Sequence, residues 1–498
     1  MPQTVALTCH LYKYFDYEVA LAKRELLAFG ATEITRKRNS FIVRFPDGFD
    51  LGRLRELTYF RSYATDDGSA PESFTLQHLL ESSYHNDVGT KRQQTRYSVH
   101  CWHEYKGRFN PQIVHGILNC FFDKKAAILD PFCGSGTTLV ECAHRGIDAV
   151  GIDINPFAHF LANAKLAALR ARPSELQSSF NVLRRFRPMK ASVGRKPVEA
   201  EYLASWFDDG ILREIEGLRH TVMTKMPTSH QPVFLSLISD LLRDYSLQEP
   251  SDLRIRRRFS PMPSEPLAVA LERKIQKCLD SHARTKGVLP SISGRQVAVL
   301  GTAEKERRIG KQLFDGIVTS PPYATALPYI DTQRLSLVWL QLIQPSEIAM
   351  TEEALIGARE LEKQALRQLS ELSRQNNNGL PAAVTSIIRD IASKHGGKDG
   401  FRKRAVPSLL FRYFTRMKES LRAMRASVKK GGTAVLVVGT NRTTAGDTTF
   451  EVNTPFLLAE VAASVGWEVR ELFPLQTYHR YGLQTKNAVQ GESLVIIE

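Results

Sequence analysis

The chain has 498 residues, of which 43% are hydrophobic and 24% are charged, the proportions of an ordinary globular protein. No apolar run approaches the ~18 residues that cross a bilayer, which excludes a membrane-spanning protein, and the first residues lack a secretory signal, so we expect a cytoplasmic location. The formal net charge of +15 favours a polyanionic partner such as a nucleic acid, because Lys and Arg attract phosphate backbones of any sequence.

The first 91 residues are predicted to be a small α/β module and a linker. Apolar residues repeat with the periods of strands and helices, which predicts a strand at 5–10, a helix at 17–29, a strand or hairpin at 33–44 and a helix at 51–58. The polar stretch 65–91 is rich in Asp, Gly, Ser and Asn, and this composition indicates a linker before the main domain.

Residues 92–498 are predicted to form one α/β domain with a doubly wound, mostly parallel, Rossmann-like sheet, because strands alternate with helices. Two insertions interrupt it. Residues 170–290 are predominantly helical and are our candidate for target recognition, and residues 346–405 are rich in Glu, Gln, Arg and Asn, with a loop at 375–379. The predicted strands are 127–130, 149–153, 296–300, 314–319, 433–439, 467–473 and 493–497, with helices at 137–144 and 156–169.

A glycine-rich turn at residues 129–138 follows the first of these strands and precedes a helix. Gly134 and Gly136 let the backbone approach a ligand closely, and a helix N-terminus offers free N–H donors. Asp153 ends the next strand, where a carboxylate can accept hydrogen bonds from both hydroxyls of a ribose. A nucleotide-like cofactor fits this pattern, with Asp130, Pro131, Phe132, Cys133, Gly134, Ser135, Gly136, Thr137, Thr138, Asp153, Ile154 and Asn155 as its predicted contacts.

A second motif, Ser320-Pro321-Pro322-Tyr323, follows the apolar strand 314–319. Ligands of open α/β sheets bind at the carboxyl ends of strands, and this motif places two rigid prolines and an aromatic ring there. Ser320, Pro321, Pro322 and Tyr323 are therefore the candidate catalytic residues.

Together the two motifs resemble those of the DNA amino-methyltransferases, which read Asp-Pro-Phe-x-Gly-Ser-Gly-Thr and Asp or Ser, Pro-Pro, then an aromatic residue. Residues 103–111 also resemble an element that precedes the cofactor motif in many cytosine-N4 members, which adds Tyr105 and Phe109 to the cofactor site. Relatives commonly carry Gly-Asp where this chain has Gly301-Thr302, so the Thr302 hydroxyl takes the place of an acid that contacts adenine. The resemblance covers roughly residues 98–169 and 297–498.

The resemblance implies a class I methyltransferase fold, S-adenosylmethionine as cofactor and DNA as partner. It implies that the amino nitrogen of a flipped base displaces the methyl group directly. The Ser320 hydroxyl and the Pro321 carbonyl would accept hydrogen bonds from the amino group, and Tyr323 would stack on the base. Ser320 in place of Asp favours N4 of cytosine, and N6 of adenine stays an alternative.

Basic clusters within the two insertions are candidates for contact with nucleic acid. Lys and Arg greatly outnumber Asp and Glu between residues 391 and 430, and aromatic residues are interspersed among them. The predicted nucleic-acid contacts are Arg254, Arg256, Arg257 and Arg258 in the first insertion and Arg402, Lys403 and Arg404 in or beside the second.

Other classes of function share part of these patterns. A methyltransferase of guanine N2 in transfer RNA would share the sheet and have a THUMP-type N-terminal module, but such enzymes usually carry Asp where this chain has Ser320. A non-catalytic nucleic-acid-binding subunit would lose the glycines or the Pro-Pro-aromatic motif, and both are present. A restriction nuclease is a further candidate partner. No metal site is expected, because the six cysteines form no Cys-x-x-Cys pair, and Cys133 in the turn is expected to serve packing.

Overall fold

A computed structural model describes residues 3–65, 71–84, 93–186, 188, 194–289, 291–305, 313–324, 329–359, 361–376, 378–397, 399–475 and 491–498. Over this part of the chain, no helix is both long enough and apolar enough to span a membrane.

The N-terminal part forms a five-stranded antiparallel sheet among the described residues, in the order β2-β3-β1-β4-β5. The predicted first strand, helix and hairpin are confirmed. The helix predicted at 51–58 is a short 3-10 helix, Leu51–Glu56. The elements are β1 (Gln3–Thr8), α1 (Asp16–Ala28), β2 (Glu33–Arg36), β3 (Ser40–Phe45), β4 (Ser62–Thr65), β5 (Ser73–Phe74) and α2 (Leu76–Ser82).

Part of the predicted linker is folded, so that prediction is wrong for residues 71–84. Strand β5 pairs with β4, and Leu76 and Leu80 of α2 are buried in a small cluster with Tyr97. The prediction followed the polar composition of this stretch and overlooked Leu76 and Leu80, two apolar residues one helical turn apart.

The main part begins with a helix that was not predicted, α3, followed by strands and helices that match the prediction to within one residue, and it continues with a helical segment. Its first elements are α3 (Pro111–Phe121), β6 (Ala127–Asp130), α4 (Thr137–Arg145), β7 (Asp148–Asp153) and α5 (Pro156–Arg170). The helical segment contains α6 (Pro173–Leu183), α7 (Pro197–Ala204), α8 (Asp209–Lys225), α9 (Gln231–Leu242) and α10 (Leu267–Val288).

The rest of the chain completes the main sheet. A hairpin of β11 and β12 was not predicted, because its sequence is rich in Thr; Ala445 and Val452 are nevertheless buried. The elements are β8 (Gln296–Leu300), β9 (Phe314–Thr319), α11 (Tyr329–Trp339), α12 (Ile348–Ala354), α13 (Lys363–Gln375), α14 (Ala382–Ser393), α15 (Phe401–Ser427), β10 (Val428–Gly439), β11 (Asn441–Ala445), β12 (Thr448–Val452), α16 (Thr454–Ser464), β13 (Val469–Leu475) and β14 (Glu492–Ile497).

The main sheet has seven strands among the described residues, in the order β13-β14-β10-β9-β6-β7-β8. Neighbouring strands from β10 to β8 are parallel, and β14 runs antiparallel to both β10 and β13. The α/β fold class, doubly wound and mostly parallel, is thereby confirmed. The chain leaves β6 toward β7 on one side and returns to β9 on the other, so β6 and β9 flank a switch point, where such folds bind ligands.

The N-terminal sheet and the main sheet share one buried apolar core that includes Val5 and Leu26 on one side and Ile117 and Ile128 on the other. The buried carboxylate of Glu25 also links α1 to neighbouring elements, because it accepts hydrogen bonds from the backbone N–H of Thr58 and from the side chain of Asn119 in α3. The division of the chain at residue 91, and the two insertions as separate units, stay predictions.

Strand β9 requires glycine at position 316. A Cβ atom there would lie 2.0 Å from Phe122 Cε1 and 2.7 Å from the Thr433 carbonyl oxygen, and both distances are shorter than van der Waals contact allows. Gly316→Ala should destabilise the fold by about 1–3 kcal/mol, the usual range for overpacking. Calorimetry should show a lower midpoint of thermal unfolding. In the control Gly287→Ala, a Cβ meets nothing within 4 Å in α10, so its midpoint should stay equal or rise slightly. Equal midpoints for both variants would contradict this packing.

Candidate active site

A buried carboxylate ties the ends of the two central strands together. Oδ1 of Asp130, at the end of β6, accepts a hydrogen bond from Thr319 Oγ1 at 2.6 Å and one from the backbone N–H of Phe132 at 3.1 Å. Burial raises the pKa of Asp130 to about 6, and the hydrogen bonds oppose that rise. This contact holds the glycine turn beside the residue that precedes Ser320.

The turn between β6 and α4 adopts conformations that require glycine. Gly134 and Gly136 have φ values of 49° and 82°, in the left-handed region. A Cβ at Gly136 would lie 2.8 Å from Ala162 Cβ, so this glycine lets α5 pack against the turn. Cys133 is buried beside Gly151, and burial raises the pKa of its thiol well above the usual value, which disfavours the nucleophilic thiolate.

Asp153, at the end of β7, completes the turn. Its Oδ2 accepts a hydrogen bond from the backbone N–H of Gly134 at 2.9 Å, and its Oδ1 accepts one from Asn155 at 2.9 Å. Burial raises the pKa of Asp153 to about 6. A carboxylate oxygen can accept more than one hydrogen bond, so Asp153 keeps acceptor capacity for a ligand beside the turn.

The turn fits a nucleotide-like cofactor on two further grounds. The Ser135 hydroxyl oxygen is buried and has no hydrogen-bond partner among the described residues. Helix α4 begins at Thr137, and the N–H groups of a first helical turn have no partner within the helix itself. Unsatisfied polar groups beside two glycines are the features of a site that a polar ligand completes.

Most of the predicted cofactor residues belong to the turn, and the side chains of some of them already form hydrogen bonds within the protein. Asn155 caps α5, because its Oδ1 accepts from the backbone N–H of Phe157 at 3.0 Å, and its Nδ2 donates to Gln333 Oε1 at 2.6 Å. Thr138 Oγ1 donates to the Val318 carbonyl at 3.4 Å. Phe132, Gly134 and Ile154 are partly exposed, whereas Pro131, Cys133, Ser135, Gly136, Thr137, Thr138 and Asn155 are buried.

Beyond β8, an acidic residue that the sequence analysis missed accompanies Thr302. The Thr302 hydroxyl bonds to the carboxylate of Glu304, and Arg416 Nε donates to Glu304 Oε1 at 2.7 Å. The sequence feature that could have indicated Glu304 is its place two residues after the position where relatives carry Asp. A carboxylate therefore lies just beyond the end of β8, and it pairs with an arginine from α15.

The segment after β9 is anchored to strands β10 and β14. Ser320 Oγ donates to the Val437 carbonyl at 3.1 Å, and the Tyr323 hydroxyl donates to Glu492 Oε1 at 2.6 Å. Burial and the neighbouring carboxylate of Glu492 raise the pKa of Tyr323 well above its usual value. The Asn441 side chain holds the next carbonyl, that of Ala324. Pro321 is buried and Pro322 is partly exposed.

A large cleft of about 2490 Å³ opens above this segment. Ser320, Pro321 and Tyr323 line it, as do Tyr105 and Phe109. The glycine turn is adjacent to the side of the cleft that Tyr105 lines, because a Cβ at Gly134 would lie 3.5 Å from the Tyr105 ring. The structure therefore brings the Ser-Pro-Pro-Tyr motif, the 103–111 segment and the glycine turn together.

Three of the seven predicted nucleic-acid contacts line the same cleft, namely Arg254, Arg402 and Lys403. Lys403 also pairs with Asp399 at 3.6 Å. The guanidinium groups of the other four contact protein acceptors. Arg256 pairs with Asp252 at 3.4 Å, Arg257 donates to the Ser205 carbonyl at 2.5 Å and stacks on Trp206, Arg258 donates to the carbonyls of Ser246 and Asp244 at 2.7 and 2.6 Å, and Arg404 donates to the Gly396 carbonyl at 3.1 Å.

Known proteins share parts of this sequence. Residues 62–164 match the model of a family described as DNA methylase. Over 80 residues, 16% of the chain and 15% of the relative, the chain is 46% identical to Type II methyltransferase M.MjaII of Methanocaldococcus jannaschii. It is 23% identical to Type II methyltransferase M.BsoBI of Geobacillus stearothermophilus over 331 residues, 59% of the chain and 63% of the relative.

A third relative, Type II methyltransferase M.MvaI of Kocuria varians, is 23% identical over 293 residues, which cover 53% of the chain and 64% of the relative. The chain thus matches less than two thirds of the length of each of these three proteins. The family match contains the glycine turn and Asp153, and the sheet places them beside the Ser-Pro-Pro-Tyr segment. In the part that carries the glycine turn, the chain is therefore similar to DNA amino-methyltransferases, a family that generally uses S-adenosylmethionine.

Proposed function

We propose that this protein transfers a methyl group from S-adenosylmethionine to the exocyclic amino group of a base in DNA, with N4 of cytosine as the favoured target. The observation that carries the proposal is the position of Ser320. Its hydroxyl is anchored to a core strand at the edge of the cleft, next to the residue that Asp130 ties to the glycine turn.

The hydrogen-bond direction at Ser320 suits an acceptor for an amino group. A hydroxyl has one proton and two lone pairs, and the proton of Ser320 is directed at the Val437 carbonyl, 3.1 Å away. The lone pairs remain to accept a hydrogen bond from the amino group. Together with the Pro321 carbonyl, Ser320 would make the lone pair of the amino nitrogen more available for attack, while Tyr323 orients the flipped base by stacking.

The residues around the glycine turn would hold the cofactor. When bound, S-adenosylmethionine supplies an electrophilic methyl group. Asp153 would accept hydrogen bonds from the ribose hydroxyls, and the Ser135 hydroxyl and the N–H groups at the start of α4 would bind its polar groups. Tyr105, next to Gly134, would cover the turn on the side of the cleft.

A DNA substrate is supported by the family and by the cations of the cleft. Arg254 approaches it from the helical segment, and Arg402 and Lys403 approach it from the start of α15. Ser320 in place of Asp supports cytosine N4 over adenine N6, and it argues against guanine N2 of transfer RNA.

Mass spectrometry of nucleosides from DNA and RNA incubated with the protein and isotope-labelled S-adenosylmethionine tests the proposal. We expect labelled N4-methylcytosine from DNA. Labelled N6-methyladenine would change the target base, and label found in RNA alone, or in neither polymer, would overturn the proposal.

Ser320→Ala should lower the single-turnover methylation rate by about fivefold, because it removes one of two acceptors, and a hydrogen bond contributes about 1 kcal/mol. Cofactor affinity should be unchanged by calorimetry. As a control, Ser464→Ala removes a similar hydroxyl-to-carbonyl bond at the end of α16, outside the cleft, and should retain the rate. Full activity of Ser320→Ala would show that the active site lies elsewhere.

Asp153→Asn should weaken the binding of S-adenosylmethionine by at least about tenfold, because hydrogen bonds to a charged group contribute about 1.5–3 kcal/mol each. Isothermal titration calorimetry measures the effect. Asp148→Asn, at the other end of β7, alters only a carboxylate that accepts from the backbone N–H of Arg295, and it should bind normally. Equal affinity of the two variants would refute the assignment of Asp153.

Arg254→Gln should reduce the slope of log affinity for DNA against log salt concentration by up to about 0.9, the value for one lost phosphate contact. Arg256→Gln is the matched control, because Arg256 lies two residues away, pairs with Asp252 and does not line the cleft. Fluorescence anisotropy with labelled duplex DNA measures both slopes. If the two variants change the slope equally, the cleft is not the DNA-binding surface.

A further inference from the structure

The Tyr323 hydroxyl is bound by a carboxylate that belongs to neither motif. Glu492 lies at the far end of the chain and accepts the hydrogen bond of Tyr323 on its Oε1 at 2.6 Å. Both side chains line the cleft beside Ser320. We infer that Glu492 is a positioning residue that sets the orientation of the Tyr323 ring, and this inference rests on the proposed function.

The contact has the geometry of a strong hydrogen bond. An O–H···O⁻ bond to an ionised acceptor is short, about 2.5–2.7 Å, and is stronger than a bond between neutral groups. The Tyr323 hydroxyl stays protonated, because burial and the Glu492 carboxylate both raise its pKa well above the usual value. Tyr323 is therefore the donor and Glu492 the acceptor.

Glu492 is held by the main sheet. It is the first residue of β14, and its backbone pairs with Gly439 of β10 on one side and Leu475 of β13 on the other. The preceding Gly491 carbonyl accepts hydrogen bonds from the backbone N–H and the hydroxyl of Thr440, at 3.0 and 3.2 Å. A carboxylate at the start of a paired strand is a precise anchor, because neighbours on both sides fix its backbone.

Tyr323 depends on such an anchor more than a core residue does. It belongs to the segment after β9, outside regular structure, and its ring is partly exposed in the cleft. A ring that stacks on a base has to be held in one plane, and a displacement of about 1 Å can cost a hundredfold in rate. The bond at the hydroxyl holds the ring at the end opposite its attachment to the backbone.

A second role for Glu492 in the same cleft is to be distinguished from positioning. Carboxylates accept hydrogen bonds from the amino group of cytosine, so Glu492 would in that case contact the base itself. The two roles differ in their coupling to Tyr323. A positioning residue acts only through the tyrosine hydroxyl, whereas a base-contacting residue acts whether or not that hydroxyl is present.

A double-mutant cycle on the full chain separates the two roles, with single-turnover methylation of duplex DNA as the readout. Glu492→Ala and Tyr323→Phe should each lower the rate by about tenfold, and the double variant should be no slower than the slower single variant. Glu492→Gln should recover most of the rate, because its amide oxygen still accepts the hydrogen bond. A fluorescent base analogue at the target position should report less stacking in Glu492→Ala.

Three results would overturn the inference. The first is a full rate for Glu492→Ala, and the second is additive losses in the double variant. The third is a loss of rate in Glu492→Ala that comes with lowered cofactor affinity and is not rescued by Glu492→Gln. Glu471→Ala is the matched control, because this carboxylate on the neighbouring strand β13 pairs with Arg24 and does not line the cleft, so its rate should be unchanged. Failure of the proposed function is distinct, since the unaltered protein would then methylate no DNA.

Discussion

The hydrogen bond between Thr319 and Asp130 is the contact on which the arrangement of the site depends. It joins the last residues of β9 and β6, neighbouring strands that flank the switch point of the sheet. Both side chains are buried, so water does not compete for the bond, and the low local dielectric strengthens it. The glycine turn and Ser320 follow directly, so their separation is set by strand spacing and this bond.

Three acidic residues near this edge of the sheet have different environments and different roles. Asp130 is buried, and its hydrogen bonds with Phe132 and Thr319 brace the turn. Asp153 builds the turn with both oxygens yet is partly exposed, so it retains capacity for a ligand. Glu492 accepts from the one aromatic hydroxyl of the Ser-Pro-Pro-Tyr segment. The same chemical group thus has different hydrogen-bond partners at each position, and the roles that we propose for Asp153 and Glu492 follow from that difference.

The basic residues follow a similar division. A guanidinium group has five N–H donors, and carbonyl oxygens satisfy those of Arg258 inside the helical segment. Arg254, four residues earlier, is exposed and lines the cleft. The number of Lys and Arg residues in a stretch of sequence therefore overstates how many cations a phosphate backbone can contact. Some of these residues, such as Arg258, stabilise the loop that carries the others.

The sequence by itself determined the fold class, and it predicted the strand ends at which the two motifs lie. Strand and helix periodicity is local, so the bounds of β6, β8 and β9 agree with prediction, and the carboxyl ends of parallel strands must share one edge. It also indicated which residues belong to the glycine turn, because left-handed backbone conformations and close packing demand glycine there.

Only the tertiary structure decided which of these side chains have partners. The folding of α2 within a polar stretch, the contact of Asn155 with Gln333, the pairing of Glu304 with Arg416 and the contact of Tyr323 with Glu492 were not predictable from local pattern. In most of these cases the partner is far away along the chain. A sequence pattern specifies the neighbours along a strand or helix, whereas hydrogen-bond partners across the sheet are specified only when the chain has folded.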